Sequence, residues 1–205
     1  MARPSSHSKD DFVTAAMTIV DAEGLDALTF RRLGEEMGVS HTAVHNYFEN
    51  KTALTDELVG KMMSELMAGP PPEDVSVRGR LMWFAHRVRA VLKSHPRLAA
   101  ALLSTTGMAT GSSSSSAAAV GILEEGGLSG SELVQAYLIL EGYLFGWLIF
   151  EVGDFEDHLD VRQRRLMSLG HPDFAARVAS KADMEATNEA AYLAGFERLL
   201  DSLGL

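Results

Sequence analysis

The chain has no cysteine among its 205 residues. Disulfides, thiolate nucleophiles and cysteine-ligated zinc are thereby excluded. Positive charge is short: 18 Lys and Arg stand against 28 Asp and Glu, for a net charge of −10. A broad basic field of the kind that holds nucleic acid non-specifically is missing. Residues 1–54 are themselves acidic, with five cations (Arg3, Lys9, Arg31, Arg32, Lys51) against eight carboxylates. Any contact with DNA must therefore rest on locally placed groups. Met1 to Asp11 is polar and lacks the apolar centre of a signal peptide, so the expected location is cytoplasmic. No stretch alternates polar and apolar residues as a strand would.

Catalytic signatures are absent as well. There is no G-x-S-x-G, Walker loop, dinucleotide fingerprint or H-E-x-x-H, so neither enzyme nor cofactor chemistry is expected. The seven histidines are scattered. Only His41 and His45 share helical i, i+4 spacing, without further ligands to complete a metal site. The low-complexity segment Gly107 to Ser116 reads as a flexible loop.

What remains is helical. Hydrophobic residues make up 46% of the chain and charged residues 22%, ordinary for a globular protein. Phe12, Ala15, Ala16, Ile19 and Val20 form one face of a helix that Gly24 ends. Thr29 offers an N-cap to a second helix closed by Gly38, and Ser40 caps a third, to about Tyr47. A fourth begins near Asn50 and carries Leu54, Leu58, Met62 and Leu66. Gly69-Pro70-Pro71-Pro72 then marks a boundary. The expected organisation is a head of residues 1–54, a connecting helix over 51–68 and a helical body of residues 69–205. In the body, helices are expected over 76–94, from Pro96 to about Leu103, over 117–125, within Ser129 to Phe150, briefly within 171–182, and over 183–202.

Leu28 to Leu54 carries the functional signal. Two short helices joined at Gly38-Val39-Ser40 make a helix-turn-helix whose second helix presents Ser40, His41, Thr42, Ala43 and Asn46 to base edges. Val39 is expected to plug the gap between the two. Thr29-Phe30-Arg31-Arg32-Leu33, Met37-Gly38-Val39-Ser40, Tyr47-Phe48, Asn50-Lys51 and Ala53-Leu54 together resemble the TetR family of bacterial regulators. The resemblance implies an all-α homodimer that binds a near-palindromic operator and is released by a small-molecule effector. It implies phosphate contacts from Thr29, Tyr47 and Lys51, and places His45 where the family usually has tyrosine. Histidine donates to phosphate best when protonated. Thr42 stands where glycine or proline is common.

Two rivals arise from the body. One is a small helical enzyme; the other is a single membrane span over residues 133–150, where Gly142 and Gly146 have the spacing of paired membrane helices. Gln135 and Glu141 interrupt that run, and its flanks are acidic rather than basic. A helix at a subunit interface accounts for the same residues, so no membrane partner is expected. By analogy with the family, the dimer residues are Tyr137, Leu140, Leu144, Tyr192, Leu193, Phe196 and Leu200. The candidate effector contacts are Trp83, His86, Arg87, Leu102, Thr105, Met108, Glu141, Phe145 and Trp147. In the tetracycline-repressor branch, which the final segment resembles, a histidine following the counterpart of His95-Pro96 holds drug-bound magnesium. Leu102 stands there instead and cannot ligate a metal.

Overall fold

Ser8 opens the first helix with a reciprocal cap: its hydroxyl accepts from the Asp11 amide at 3.2 Å while the Asp11 carboxylate accepts from the Ser8 amide at 2.7 Å. The computed structural model describes residues 7–66, 68–69, 75–104, 113–148, 151 and 158–205, with backbone alone at 101–104, 113–114, 148 and 158–159. Every regular element among them is helical. The head comprises α1 (Lys9–Glu23), a 3-10 turn (Leu25–Ala27), α2 (Phe30–Met37) and α3 (His41–Val44), and α4 (Lys51–Leu66) runs from it to the body. The body comprises α5 (Val77–Ser94), α6 (Pro96–Ser104), α7 (Ser113–Glu125), α8 (Gly130–Leu148), α9 (His158–Met167), α10 (Pro172–Arg177) and α11 (Lys181–Ser202).

The head closes over Phe12, Ile19, Leu28, Leu33, Val44 and Leu54, each exposed by 1% or less. Burying side chains of this size stabilises the fold by about 2 kcal/mol apiece. In the body, α5 is the central member: Leu81, Phe84, Val88 and Leu92 turn inward to α4, α7, α8 and α11. The α8–α11 pair is locked by a tyrosine. Tyr143 donates to the Tyr192 carbonyl at 2.7 Å, and Gly195 makes room for it, since a Cβ there would lie 2.2 Å from the Tyr143 hydroxyl. Tyr192 in turn donates to the Ala85 carbonyl on α5 at 2.8 Å, and its burial pushes the phenol well above the usual tyrosine range.

A buried ion pair fixes α5 against the segment after α8. Arg89 meets Glu151 in a two-pronged contact, with side-chain exposures of 10% and 4%, and also reaches Glu189 on α11 at 3.1 Å. Burial opposes the Arg89 charge, but the two carboxylates outweigh it and hold the guanidinium above its ordinary value.

Two expectations are corrected. Ser113 to Ser116 are not loop: they form the first turn of α7, where Ser115 is buried and the Ala117-Ala118-Ala119 run continues the helix. The basic stretch Arg162 to Arg165, which falls between the helices expected within 129–150 and 171–182, is helical in α9. Its period is masked by the charges, yet Arg162 turns inward and donates to Asn188 on α11 at 2.6 Å. No helix among the described residues is long and apolar enough to cross a membrane.

Candidate nucleic-acid interface and effector cavity

Three devices set the geometry of α2 and α3. Thr29 caps α2 by accepting from the Arg32 amide at 3.0 Å, and Ser40 caps α3 by accepting from the Ala43 amide at 3.2 Å. Gly38 takes the left-handed conformation, φ 66°, that turns the chain between them. The third device is Gly34. A Cβ there would lie 2.9 Å from the Val39 carbonyl and 3.2 Å from the His41 amide, so α3 docks on α2 only because this side chain is absent. Val39 is half-buried against the head core, and its amide donates to the Gly34 carbonyl at 2.9 Å. The sequence signal was available, because glycine within a short helix costs stability and so points to close approach.

The α-helical part of α3 is one turn, and residues 45–47 continue it as turns, with Asn46 donating to Ala43 and Tyr47 to Val44. Ser40, His41, Thr42, His45 and Asn46 are exposed; Ala43 is half-buried and Val44 fully so. His45 sets its ring edge-on to Phe30, centroids 4.6 Å apart. This surface contains no carboxylate. The acids of the head are largely engaged elsewhere: Glu23 and Glu36 hold Arg32, Glu35 holds Arg31, Asp10 holds Lys61, and Asp11 caps α1. Glu23 is drawn below the usual carboxylate range by its hydrogen bonds from Arg32.

Two expected phosphate contacts have intrachain partners. Tyr47 stacks near Phe12 and donates to the His7 carbonyl at 2.8 Å, while Lys51 donates to the Leu25 carbonyl at 2.8 Å. Each thereby ties the end of the recognition segment to the opening of α1 or to the 3-10 turn. The ammonium of Lys51 keeps further protons for an outside acceptor, and Thr29 is exposed at the head of α2.

The body encloses an apolar cavity between α4, α5, α7, α8 and α11. Its walls include Met63 and Leu66 of α4, Phe84 and Val88 of α5, Leu144 of α8 and Phe196 of α11. The inner void is about 50 Å³, widening to about 630 Å³ of atom-free space when its open mouth is counted. Its polar part is small: Ser115, Ser116, Tyr137 and Glu141. Tyr137 lies 2.7 Å from Glu141 Oε1 and 2.9 Å from Ser116 Oγ. Burial, with a contribution from Glu141, pushes the Tyr137 phenol up, so it keeps its proton.

Of the expected effector contacts, Glu141 and Phe145 line this cavity. Trp83 is half-buried and faces the Arg87 guanidinium 6.0 Å away, and Arg87 donates to the Glu65 and Ala68 carbonyls at the end of α4. His86 is exposed, and Trp147 packs beside Tyr143 and Tyr192 under Arg162. Thr105, Met108 and the side chain of Leu102 lie outside the described residues. Tyr137, Ser115 and Ser116 were missed as cavity residues. The i, i+4 spacing of Tyr137 and Glu141 was the available sign that they share one helix face.

Most of the expected dimer residues belong to the core of a single chain. Leu140, Leu144, Tyr192, Phe196 and Leu200 are all at most 6% exposed within a single chain, because α8 and α11 pack on α5 with these faces. Tyr137, half-buried, lies in the cavity wall, and Leu193 is half-buried at the periphery of the chain's core. The exposed apolar face of α8 is another one, with Val134, Leu138 and Ile139 at 57%, 56% and 44%.

A further polar joint ties α6 to α1 and α4. His95, at the start of α6, lies 2.9 Å from Asp21 of α1 and 3.3 Å from Glu65 of α4. Arg97 donates to the Asp21 and Ala22 carbonyls. Among the described residues no three metal-ligating side chains gather.

A helix-turn-helix with a carboxylate-free exposed face, carried on a helical body that encloses an apolar cavity, defines a DNA-binding regulator of the one-component kind. Residues 12–58 match the family model for bacterial regulatory proteins of the tetR family, and residues 69–205 match that for the tetracyclin repressor-like C-terminal domain. The chain belongs to the TetR family of transcriptional regulators. The tetracycline repressor protein class A from transposon 1721 of Escherichia coli is 28% identical over 196 residues, 93% of this chain and 88% of that one. The HTH-type transcriptional repressor DrrR1 of Streptomyces coeruleorubidus is 28% identical over 149 residues, 70% of this chain. The chain spans about half the length of that relative, 55%. In fold, a possible TetR family regulator from Streptomyces coelicolor A3(2) superposes with a TM-score of 0.76 at 23% identity, covering 96% of this chain and 98% of that one.

Proposed function

We propose that the protein is a homodimeric repressor, released from a near-palindromic operator when a small molecule enters the body cavity. The observation that carries this is the position of α4. Its first residues follow directly from the recognition segment, and its last turn supplies Met63 and Leu66 to the cavity wall. The void of about 50 Å³ is far below the roughly 300–1,000 Å³ of a drug-sized pocket, so an occupant must widen it. Widening displaces α4 against α5, and with it the head. An effector that binds the widened body better than the closed one shifts the population away from the DNA-binding geometry.

The head spans residues 1–54 and the body 69–205 in this reading. Ser40, His41, Thr42, Ala43 and Asn46 face the major groove, while Thr29, His45, Tyr47 and Lys51 meet phosphates. Dimerisation uses the free face of α8, Val134, Leu138 and Ile139 with Gly142, beside Leu193 of α11. Exposed apolar surface of this kind marks an interface.

The test is fluorescence anisotropy on fragments selected from a genomic library, across a salt series, with wild type, Asn46→Ala and His45→Ala. Saturable binding to one sequence, with only a shallow salt dependence, is expected, with Asn46→Ala costing about 1–3 kcal/mol and loosening base preference. His45→Ala should weaken all fragments alike. Failure to select any fragment over random DNA would refute the assignment.

A further inference from the structure

The polar corner of the cavity restricts what enters it. Among the described residues, the cavity wall holds one carboxylate, Glu141, and no Lys or Arg. Glu141 accepts a single hydrogen bond there, from Tyr137 Oη at 2.7 Å, and forms no ion pair among those residues. A phenol has one proton. When Glu141 is ionised, Tyr137 therefore donates to the carboxylate and accepts from the Ser116 hydroxyl at 2.9 Å. That relay orients one carboxylate oxygen and leaves the other without a donor among the described residues. Apart from Ser115, the rest of the wall among the described residues is apolar, with Phe84, Phe145 and Phe196 among it.

Glu141 is half-buried, and a carboxylate partly withdrawn from water with no cation beside it is stabilised when a guest brings one. An anionic guest would be repelled by Glu141 with no guanidinium or ammonium to offset it. A neutral hydrocarbon would strip water from the carboxylate and return nothing. A guest with a positive charge on an apolar body pairs with Glu141, fills the aliphatic wall and sets its charge near aromatic faces.

Resting on the effector-cavity reading above, we propose that the cavity selects lipophilic organic cations, their charge placed against Glu141 and their hydrocarbon body against α4, α5 and α11. Tyr137 and Ser116 hold the carboxylate in place and so act as positioning residues.

The test uses two ions of one shape and opposite charge, tetraphenylphosphonium and tetraphenylborate, titrated calorimetrically into the full-length protein. Wild type should bind the phosphonium about tenfold or more tightly than the borate, as expected for a unit charge held about 6 Å from a carboxylate at an effective dielectric of about 20–40. Glu141→Gln, which keeps the side-chain shape and the bond from Tyr137, should erase that preference. Erasure also separates the cavity from general attraction of cations to an acidic protein, which the substitution leaves in place. Equal affinity for the two ions, reversed preference, a preference that survives in Glu141→Gln, or no saturable binding of the phosphonium overturns the proposal. DNA binding measured on the same samples separates the two readings. Protein that holds an operator without charge selection keeps the regulator and loses the cation specificity. Protein that selects the phosphonium through Glu141 yet holds no DNA keeps the specificity and loses the regulator.

Discussion

Gly34→Ala should damage the DNA-binding surface out of proportion to its size. Position 34 lies inside α2, where alanine in place of glycine normally stabilises a helix by about 1 kcal/mol. Here the new methyl would sit 2.9 Å from the Val39 carbonyl, 3.2 Å from the His41 amide and 3.3 Å from the Ser40 carbonyl carbon. Ordinary contact begins at 3.4 Å, so the turn must retreat by about 0.5 Å. All three obstacles are backbone, and all belong to the turn that aims α3. Overpacking of this kind costs about 1–3 kcal/mol, so the net loss after the helix gain is about 1 kcal/mol. For a chain of this length that lowers the melting temperature by about 3 °C. The loss of operator affinity should be larger, because every base contact from residues 40 to 46 depends on that turn. Gly60→Ala is the paired control: it is also helical, in α4, and a Cβ there meets nothing within 4 Å. It should raise the melting temperature by a similar amount and leave DNA binding unchanged. Calorimetry and anisotropy on the two variants decide the matter. Equal behaviour of the two, or wild-type operator affinity in Gly34→Ala, would refute the close-approach argument.

Two further substitutions test the body. Glu151→Ala removes the main partner of a guanidinium that is buried on α5 and leaves it only the half-exposed Glu189; thermal unfolding should show a loss of about 3 kcal/mol, and a shift under a third of that would mean the pair is solvated. Leu138→Glu puts a charge into the exposed apolar face of α8 without touching the core. Gel filtration with light scattering should report a monomer of unchanged helicity whose hold on a two-half-site operator is much weakened, and a persistent dimer would place the interface elsewhere.

The helix boundaries were largely legible because their punctuation is chemical and local. Ser8, Thr29, Ser40, Ser76 and Ser180 all cap the helices that follow them, and Gly38 turns where its φ requires glycine. The helix-turn-helix was legible for the same reason, since its residues are contiguous. Assignments that depend on which face of a helix meets which neighbour were not. Apolar content in α8 and α11 signals that each has a buried side, but Leu140 and Leu138 look alike in a sequence; only packing on α5 makes one core and the other surface. The cavity was hidden similarly, since Ser115, Ser116, Tyr137 and Glu141 come from two helices. The α9 helix was obscured by Arg162 to Arg165, because one arginine of a basic run points inward to Asn188 while its neighbours stay in water.

The acidic balance of the head loses its force as an objection to DNA binding once the carboxylates are located. Long-range repulsion of DNA by a net-negative protein is screened over about 8 Å at physiological salt, so what matters is the charge within that distance of the phosphates. Arg31 and Arg32 are internally matched by Glu35, Glu23 and Glu36, which removes negative charge from the head's field and equally removes two cations from the phosphate-binding inventory. What remains on the recognition face is hydroxyl, amide and imidazole. Such a surface gains little from counterion release and must obtain its affinity from shape and base-edge hydrogen bonds. The expected consequence is a weak hold on random DNA and a shallow salt dependence; in the proposed mechanism a displacement of α4 that misaligns the α3 face then suffices to abolish binding, because little non-specific electrostatic affinity remains to keep the protein on the duplex.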